Sequence, residues 1–333
     1  LHRLSFIYIA IFVFDISLLG QTFLLANNAE GKVQSYADGT LADLKSNEES
    51  PWAVAHDAST DEVYWTDVTG GTIQKQAREG GTAEVVLINV TPPNCLTLIA
   101  EDPTLFWAEA GHGAAAIKSL DLNAVGANPV NVVNSDIVSP YHIALDEANG
   151  KVYWVDNALA VKQIKRADFD GANVETLITP IKQVAGIALD VPNGEIYWAD
   201  FEEDKIYSAR TNGQNSDLQV IRTLNGDLTP WSIAYDEADG SLLWSDYLAN
   251  SIARFDLSTN NSSVLATNVD AVSGIEAFVL PSQISTENIV TFSGVITVTQ
   301  ANSIVFPDEF ELGDQFYYEI DFDLAANAES TNS

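Results

Sequence analysis

The chain has 333 residues, with 15 Lys plus Arg against 47 Asp plus Glu, which gives a formal net charge of −32. A field of this sign repels phosphate backbones and anionic lipid surfaces, so the composition argues against nucleic-acid binding. The one cysteine, Cys95, excludes an internal disulfide, and we expect it to be a small core residue.

The N-terminal segment, residues 1–20, has a short basic region with His2 and Arg3, followed by an apolar run to Phe14. The run is too short to span a bilayer and predicts a secretory signal peptide cut near Gly20, after which no membrane insertion is expected. The alternative is an apolar strand that is retained beside the first repeat. A retained run would need contact with a neighbouring molecule.

Residues 21–280 contain a repeated pentapeptide. It starts with two apolar or aromatic residues, has tryptophan in the third position and ends with an acid. Its copies are Val63–Asp67, Leu105–Glu109, Val152–Asp156, Ile196–Asp200 and Leu242–Asp246. The tryptophans Trp65, Trp107, Trp154, Trp198 and Trp244 are separated by 42, 47, 44 and 46 residues. Short strands at such a period are typical of propeller blades.

Each copy is flanked by further strand patterns. An apolar run ending in an acid, such as His142–Asp146, precedes it, and a turn such as Glu147–Gly150 joins the two. Two more runs, such as Gln163–Ala167 and Val174–Ile178, follow it. Four antiparallel strands per repeat predict one blade.

The repeats resemble the YWTD repeats of the low-density-lipoprotein-receptor family (class B repeats), over roughly residues 22–280. Only the copy that ends at Asp67 spells the tetrapeptide in full. The resemblance implies a six-bladed β-propeller whose loops bind partners on one face. The sequence, with its one cysteine, contains none of the disulfide-rich modules that flank the propellers of the family's animal receptors.

The sixth blade is expected from the two ends of the repeat region. Thr22–Asn27 and Gly31–Gly39 match the second and third strands of a blade, with Leu25 at the tryptophan position. The run Ser273–Leu280 would supply the first strand. Sharing strands from both ends closes the ring and leaves no free sheet edge.

Residues 281–333 form a different segment. After a polar linker, 290–299 and 310–323 alternate apolar residues and predict two strands of an incomplete β-sandwich-like unit. Two or three strands cannot bury a core alone. We therefore expect this segment to be cut short, docked on the propeller or completed by another chain.

The repeated acids are the first candidates for a site. Because a function needs one site whereas a structural hydrogen bond recurs in every blade, the repeats predict structural roles for them and for the tryptophans. These residues are Trp65, Asp67, Trp107, Glu109, Trp154, Asp156, Trp198, Asp200, Trp244 and Asp246. The run Asp168–Gly171 is interpreted as a turn, because it lacks the later ligands of a calcium loop.

A second recurring position is more informative. Five residues ahead of the acid of each first strand lie Trp52, Thr97, Tyr141, Ala185 and Trp231, with Ser273 in the closing strand. Since these residues enter the first strand from the loop between blades, we expect them around the channel mouth. We predict that Trp52, Tyr141, His142 and Trp231 bind a partner, the alternative being packing between blades.

Catalytic motifs are missing from the sequence. The four histidines are scattered, and no nucleophile elbow, zinc spacing, phosphate loop or dinucleotide fingerprint occurs, so we predict no catalytic residue, no metal ligand and no cofactor. The sequence favours a secreted or surface-displayed, non-catalytic module that binds a protein or glycan. The alternatives are a subunit of an extracellular filament or matrix, assembled as a homo-oligomer through the terminal segments, and a metal-dependent, lactonase-like hydrolase.

Overall fold

A computed structural model describes residues 8–11, 22–37, 39–99, 102–111, 115–158, 160–212, 218–224, 229–278, 289–292, 297–300 and 303–305. The chain divides into two compact units. One comprises Gly20–Pro281, and the other comprises Leu1–Leu19 together with Ser282–Ser333.

The regular structure of the described residues is all β. In chain order the strands are β1 (Tyr8–Ile11), β2 (Thr22–Asn27), β3 (Lys32–Ala37), β4 (Thr40–Ser46), β5 (Pro51–Asp57), β6 (Glu62–Asp67), β7 (Thr72–Ala77), β8 (Glu84–Ile88), β9 (Pro93–Ile99), β10 (Thr104–Glu109), β11 (Ala116–Asp121), β12 (Val130–Val133), β13 (Pro140–Asp146), β14 (Lys151–Asp156), β15 (Lys162–Asp168), β16 (Glu175–Ile181), β17 (Val184–Asp190), β18 (Glu195–Asp200), β19 (Lys205–Arg210), β20 (Gln219–Thr223), β21 (Pro230–Asp236), β22 (Ser241–Asp246), β23 (Ser251–Asp256), β24 (Asn261–Thr267), β25 (Val272–Ala277), β26 (Ile289–Phe292), β27 (Thr297–Gln300) and β28 (Ser303–Val305).

Strands β2 to β25 form six antiparallel sheets of four strands, as the sequence predicted. Five sheets are consecutive meanders: β5–β8, β9–β12, β13–β16, β17–β20 and β21–β24. The innermost strands contact one another in the cyclic order β5, β9, β13, β17, β21, β25 and back to β5. The unit is therefore a closed six-bladed propeller.

The sixth sheet has the order β25, β2, β3, β4, so the predicted closure by strands from both ends is confirmed. Leu25 lies opposite Ile275, as Trp244 lies opposite Ile233 in the neighbouring blade. Leucine is smaller than tryptophan, and the stacked rings of Phe23 and Tyr36, with centroids 4.3 Å apart, occupy the same apolar cluster as Leu25.

The core lies between the blades. Each of the five repeated tryptophans is in the second strand of its blade and is at most 2% exposed. Trp107, for example, packs against Tyr64 and Ile73 of the preceding blade, and Trp198 packs against Tyr153 and Ile164 in the same way. In five of the six blades one large flat side chain fills the interface with the preceding blade, which explains the period of the repeat.

The turns between first and second strands follow from their residues. Asp146 accepts hydrogen bonds from the backbone N–H and the side-chain amide of Asn149, which closes the turn after β13. Gly150 ends that turn at φ 62°, a left-handed conformation that favours glycine. Gly240 has φ 67° at the same place before β22.

The register of the second repeat differs from the one expected from sequence. Leu96, rather than Ile99, lies opposite Trp107, so the first strand is Pro93–Ile99 and Asp102 falls in the following turn. Asn94, and not Thr97, is therefore equivalent to Trp52. The Glu101–Asp102 pair resembled the acid that ends other first strands, but cross-strand pairing with Trp107 decides the register.

Among the described residues of the other unit there are two short strand pairings. Strand β1 pairs antiparallel with β26, Tyr8 lying opposite Phe292, and β27 pairs with β28. The predicted strand over 290–299 appears as β26 and β27. The predicted strand over 310–323 lies outside the described residues, and cleavage near Gly20 stays a prediction.

Candidate partner-binding face and central channel

Three aromatic residues occupy one equivalent position. Trp52, Tyr141 and Trp231 are the second residues of β5, β13 and β21, each directly after a proline. In each of these strands the pairing shifts register between the proline and the residue three positions later. Such bulges redirect side chains at sheet ends.

Tyr141 and Trp231 belong to one aromatic cluster. Their ring centroids are 6.3 Å apart in an edge-to-face arrangement, and Trp231 also lies 5.1 Å from the ring of Phe201 and 5.9 Å from that of Tyr247. The blade between β13 and β21 contributes Ala185 at the equivalent position. Its small side chain leaves room for Tyr141 and Trp231 to meet across it.

The aromatic face, which we define as Tyr141, Phe201, Trp231 and Tyr247, combines two kinds of position. Tyr141 and Trp231 enter inner strands, and the other two directly follow β18 and β22. These positions lie at the same end of the blades. Tyr247 is 49% exposed and its neighbour Leu248 is 62% exposed, so apolar surface is accessible on this face.

Trp52 does not join the aromatic face. Strand β5 is two blades away from β13 around the ring, and within the described residues Trp52 has no ring contact with the four aromatic residues. Trp52 is half-buried like Trp231. The structure thus brings together two of the three predicted aromatics.

The repeated acids fix the loops that lead into the inner strands. Asp156 accepts hydrogen bonds from the backbone N–H of Ser139 at 2.8 Å and of Val138 at 3.3 Å. Asp67 accepts from Glu49, and Asp246 accepts from Thr229, in the equivalent loops. The acid of each blade therefore holds the chain segment from which the face is built.

Two other copies of the acid show variations on this arrangement. Asp200 accepts hydrogen bonds from the backbone N–H of Glu202 and Glu203, and burial raises its pKa above the usual range. Glu109, with its longer side chain, instead accepts a hydrogen bond from Trp107 Nε1 at 2.8 Å and pairs with Lys118.

An ion pair anchors the loop that leads into β13 and Tyr141. Lys165 Nζ lies 2.6 Å from both the backbone oxygen and a carboxylate oxygen of Asp136, in the loop that leads to Val138 and β13. The Lys165 side chain is 2% exposed and that of Asp136 is 79% exposed. The buried cation anchors the loop and leaves an acid at the edge of the face.

His142, also predicted to bind a partner, lies in the central channel instead. Its Nδ1 accepts a hydrogen bond from the backbone N–H of Ile187, and burial lowers its pKa to about 4. A neutral histidine in this tautomer has its proton on Nε2. Cys95, at the equivalent position of β9, is also buried in the channel wall.

The channel is a cavity of about 220 Å³ lined by the inner strands. The position of Glu276 in its wall is occupied by small residues in the other blades. The described residues contain no group of three or more His, Cys, Asp or Glu side chains able to hold a metal ion. In the same part of the chain, no helix is long and apolar enough to cross a membrane.

Sequence reasoning missed Phe201, Tyr247 and Glu276. Phe201 and Tyr247 directly follow the repeated acid in two successive repeats, where other repeats have Val68 or Asn157. Comparison of that position across repeats could have found them. Glu276 replaces the alanine of the recurring Ile-Ala pair, which is also visible once the repeats are aligned.

Comparisons with known proteins agree with this architecture, although no family model matches the chain. The protein cueball of Drosophila yakuba is 24% identical over 139 residues, 40% of this chain and 21% of that protein. Low-density lipoprotein receptor-related protein 5 of Mus musculus is 29% identical over 133 residues, 38% of this chain and 8% of that protein. The chain thus matches less than a quarter of the length of either relative.

Solved structures share the fold. The structure of a nidogen/laminin complex matches with a TM-score of 0.69 at 19% identity and covers 78% of this chain and 98% of that one. A gluconolactonase from Xanthomonas campestris matches with a TM-score of 0.57 at 17% identity and covers 79% of this chain and 89% of that one.

The closed ring of six four-stranded blades defines the class of the protein: it is a six-bladed β-propeller. The tryptophan and acid repeated in the second strands, together with the resemblance to low-density lipoprotein receptor-related protein 5, define the type more narrowly. In these features the chain resembles the YWTD, or low-density-lipoprotein-receptor class B, propellers.

Proposed function

We propose that the protein is an extracellular, non-catalytic binding module whose aromatic face docks a protein partner. The observation that supports this most directly is the half-exposed cluster of Tyr141, Phe201, Trp231 and Tyr247, which three consecutive blades contribute. Tyrosine and tryptophan are enriched at interface hot spots because they bury much area and lose little side-chain entropy.

Rigidity of the face favours binding. Trp231 is near the start of a strand that is buried along most of its length, and Tyr141 is near the start of one in which buried residues are interspersed with half-buried ones. Asp156 and Asp246 hold the loops before these strands. Side chains fixed in this way need little ordering when a partner docks, so less free energy is lost on association.

The charge around the face indicates the kind of partner. The chain has a formal net charge of −32. The loops that lead to and from the face contain the exposed carboxylates of Asp136 and Glu202, which pair with Lys165 and Lys182 respectively. A segment with an apolar anchor flanked by Lys or Arg would complement this surface. The resemblance to nidogen, whose structure was determined in a complex with laminin, supports an extracellular protein-binding role.

The hydrolase alternative receives less support. The gluconolactonase shares the fold at 17% identity, and fold alone does not transfer chemistry. The described residues provide no cluster of metal ligands in the channel. The filament alternative depends on the terminal segments, 1–20 and 281–333, and stays a prediction tested by the size of the purified protein in solution.

Selection of binding peptides from a displayed random library on the purified protein would test the proposal. We expect enriched peptides with an apolar anchor flanked by basic residues. Trp231→Ala should weaken their binding by roughly 30-fold or more, because a hot-spot residue contributes about 2 kcal/mol or more.

Trp52→Ala is the matched control, since Trp52 has the same residue type and register position but lies outside the aromatic face. Peptides that bind Trp231→Ala as tightly as the unmodified protein, or that lose affinity only with Trp52→Ala, would contradict the proposal. A glycan array on the same two variants decides between a protein and a glycan: glycan binding that depends on Trp231 would favour the glycan.

A further inference from the structure

Six equivalent positions lie in the inner strands of the six blades, five of them line the central channel, and one of those five differs from the rest. Each is paired with a residue of the second strand of its blade, the one directly before the repeated tryptophan or, in the sixth blade, directly before Leu25. The six residues are Ala55, Thr97, Ala144, Ala188, Ala234 and Glu276. Four small side chains (Thr97, Ala144, Ala188 and Ala234) and one carboxylic acid thus line the channel at this level, and Ala55 is buried between two blades.

The Glu276 carboxyl group is incompletely paired. One of its oxygens accepts a hydrogen bond from the backbone N–H of His56, and the other, Oε2, has no polar partner among the described residues. Although the side chain as a whole is only half-buried, Oε2 is out of contact with solvent. Burial raises the pKa of Glu276 to about 8. An unsatisfied buried carboxyl is costly and requires an explanation.

The rest of the channel wall is apolar or neutral, with one further acid at its mouth. The titratable groups that line it are Cys95, His142, Tyr235, Glu237 and Glu276. Burial keeps Cys95 and His142 uncharged near neutral pH, since the pKa of the thiol is about 12 and that of the imidazole about 4. No lysine or arginine lines the described part of the channel. The ionised form of Glu276 therefore has no positive partner there.

We propose that the central channel binds a small organic cation, a primary alkylammonium ion, whose nitrogen pairs with the carboxylate of Glu276. This site is separate from the aromatic face, so the proposal goes beyond the proposed function and does not depend on it. The cavity of about 220 Å³ has room for a short aliphatic chain beside Ile187, Ile233 and Ile275. Rotation about the terminal torsion of Glu276, which is broad for glutamate, turns Oε2 toward the channel.

The chemistry of the wall selects this class of ligand. A divalent cation such as calcium binds roughly six to eight oxygen ligands. The described part of the channel provides one buried carboxylate, that of Glu276. An ammonium ion needs a single counter-ion, and its alkyl chain gains from apolar walls. The acidic protein also raises the local concentration of cations.

Isothermal titration calorimetry with butylammonium at moderate salt tests the proposal, with 1-butanol as a neutral probe of the same shape. We expect butylammonium to bind and butanol to bind at least 10-fold more weakly. Glu276→Gln should weaken butylammonium binding at least 10-fold. Glu237→Gln, which removes the exposed acid at the mouth, should change it by less than about 3-fold, because solvent screens that charge.

Proton release provides a second measurement that needs no variant. At pH 7 the Glu276 carboxyl is mostly protonated, because its pKa is about 8. Pairing with an ammonium ion ionises the carboxyl, so binding should release about one proton per ligand. Titration in buffers of different ionisation enthalpy measures this number, which should fall toward zero above pH 8.

Three results would overturn the proposal: no binding of butylammonium, equal binding of butanol, or unchanged affinity in Glu276→Gln. If Glu276→Gln does not fold, absence of proton release in the unmodified protein overturns it equally. Binding of calcium that depends on Glu276 would also overturn it, in favour of a metal site. None of these results bears on the Trp231 experiment, so the two proposals fail independently.

Discussion

Gly274 of the closing strand β25 allows the ring to close, and replacing it with alanine should destabilise the propeller. A Cβ atom at this position would lie 2.7 Å from the backbone oxygen of Trp52 and 2.9 Å from the Cα of Ala53. Both atoms belong to the backbone of β5, the first inner strand of the adjacent blade. Neither can rotate away, so the two strands would have to separate.

The size of the effect follows from this geometry. The contact with the Trp52 oxygen is about 0.8 Å shorter than the roughly 3.5 Å of a favourable non-bonded contact. Overpacking of this kind costs about 1–3 kcal/mol. Alanine also restricts the unfolded chain, which returns about 0.4–1 kcal/mol. The net loss is therefore about 0–2.6 kcal/mol, centred on ~1.3 kcal/mol, and each kcal/mol lowers the melting temperature by about 2–4 °C.

Thermal unfolding followed by circular dichroism measures this change. Ala53 occupies the equivalent register position in β5 and already has a Cβ atom. There the opposite substitution, Ala53→Gly, should be the destabilising one, by about 0.5–1 kcal/mol. A Gly274→Ala variant that melts at or above the temperature of the unmodified protein would refute the inference that β25 and β5 touch through their backbones.

Three other predictions concern individual side chains. Asp156→Ala should lower the free energy of unfolding by roughly 1.5–3 kcal/mol, because the N–H groups of Val138 and Ser139 lose a charged acceptor. Asp156→Asn keeps one acceptor oxygen and should lower it less, and urea unfolding measures both changes. The free energy of unfolding should fall as pH rises from about 5 to 8, because folded Glu276, with a pKa near 8 against 4.5, retains a proton that the unfolded chain releases. Unfolding midpoints across this range should lose that part of the slope in Glu276→Gln, and an unchanged slope would contradict the assignment. The thiol of Cys95, with its pKa raised to about 12 by burial, should not react with a thiol reagent at pH 8 until the protein is unfolded.

The amino-acid sequence determined the architecture because the features that build a blade are local and repeated. The five tryptophan repeats, the alternating strands and turns such as Glu147–Gly150 each lie within a few tens of residues. Every blade must fill the same gap against its neighbour, so the same large residue recurs at the same interval. Closure by strands from both ends followed from Leu25, which completes the count of blades.

The second repeat shows where local patterns are insufficient. Its Glu101–Asp102 pair resembles the acid of other first strands, but with Leu96 paired to Trp107 the strand ends at Ile99 and Asp102 lies in a turn. Register depends on the partner strand, and a strand sequence alone does not contain its partner.

Only the tertiary structure decided which residues meet. Tyr141 and Trp231 are 90 residues apart by number and lie on blades separated by another blade, yet their rings are in contact across Ala185. Trp52 satisfies the same sequence pattern and lies elsewhere on the ring, and His142 lies in the channel beside Ile187. A repeat pattern fixes which strand of the blade a residue belongs to and its position along that strand. Contacts between blades depend on the angular positions of the blades around the ring and on the size of the side chains that lie between them.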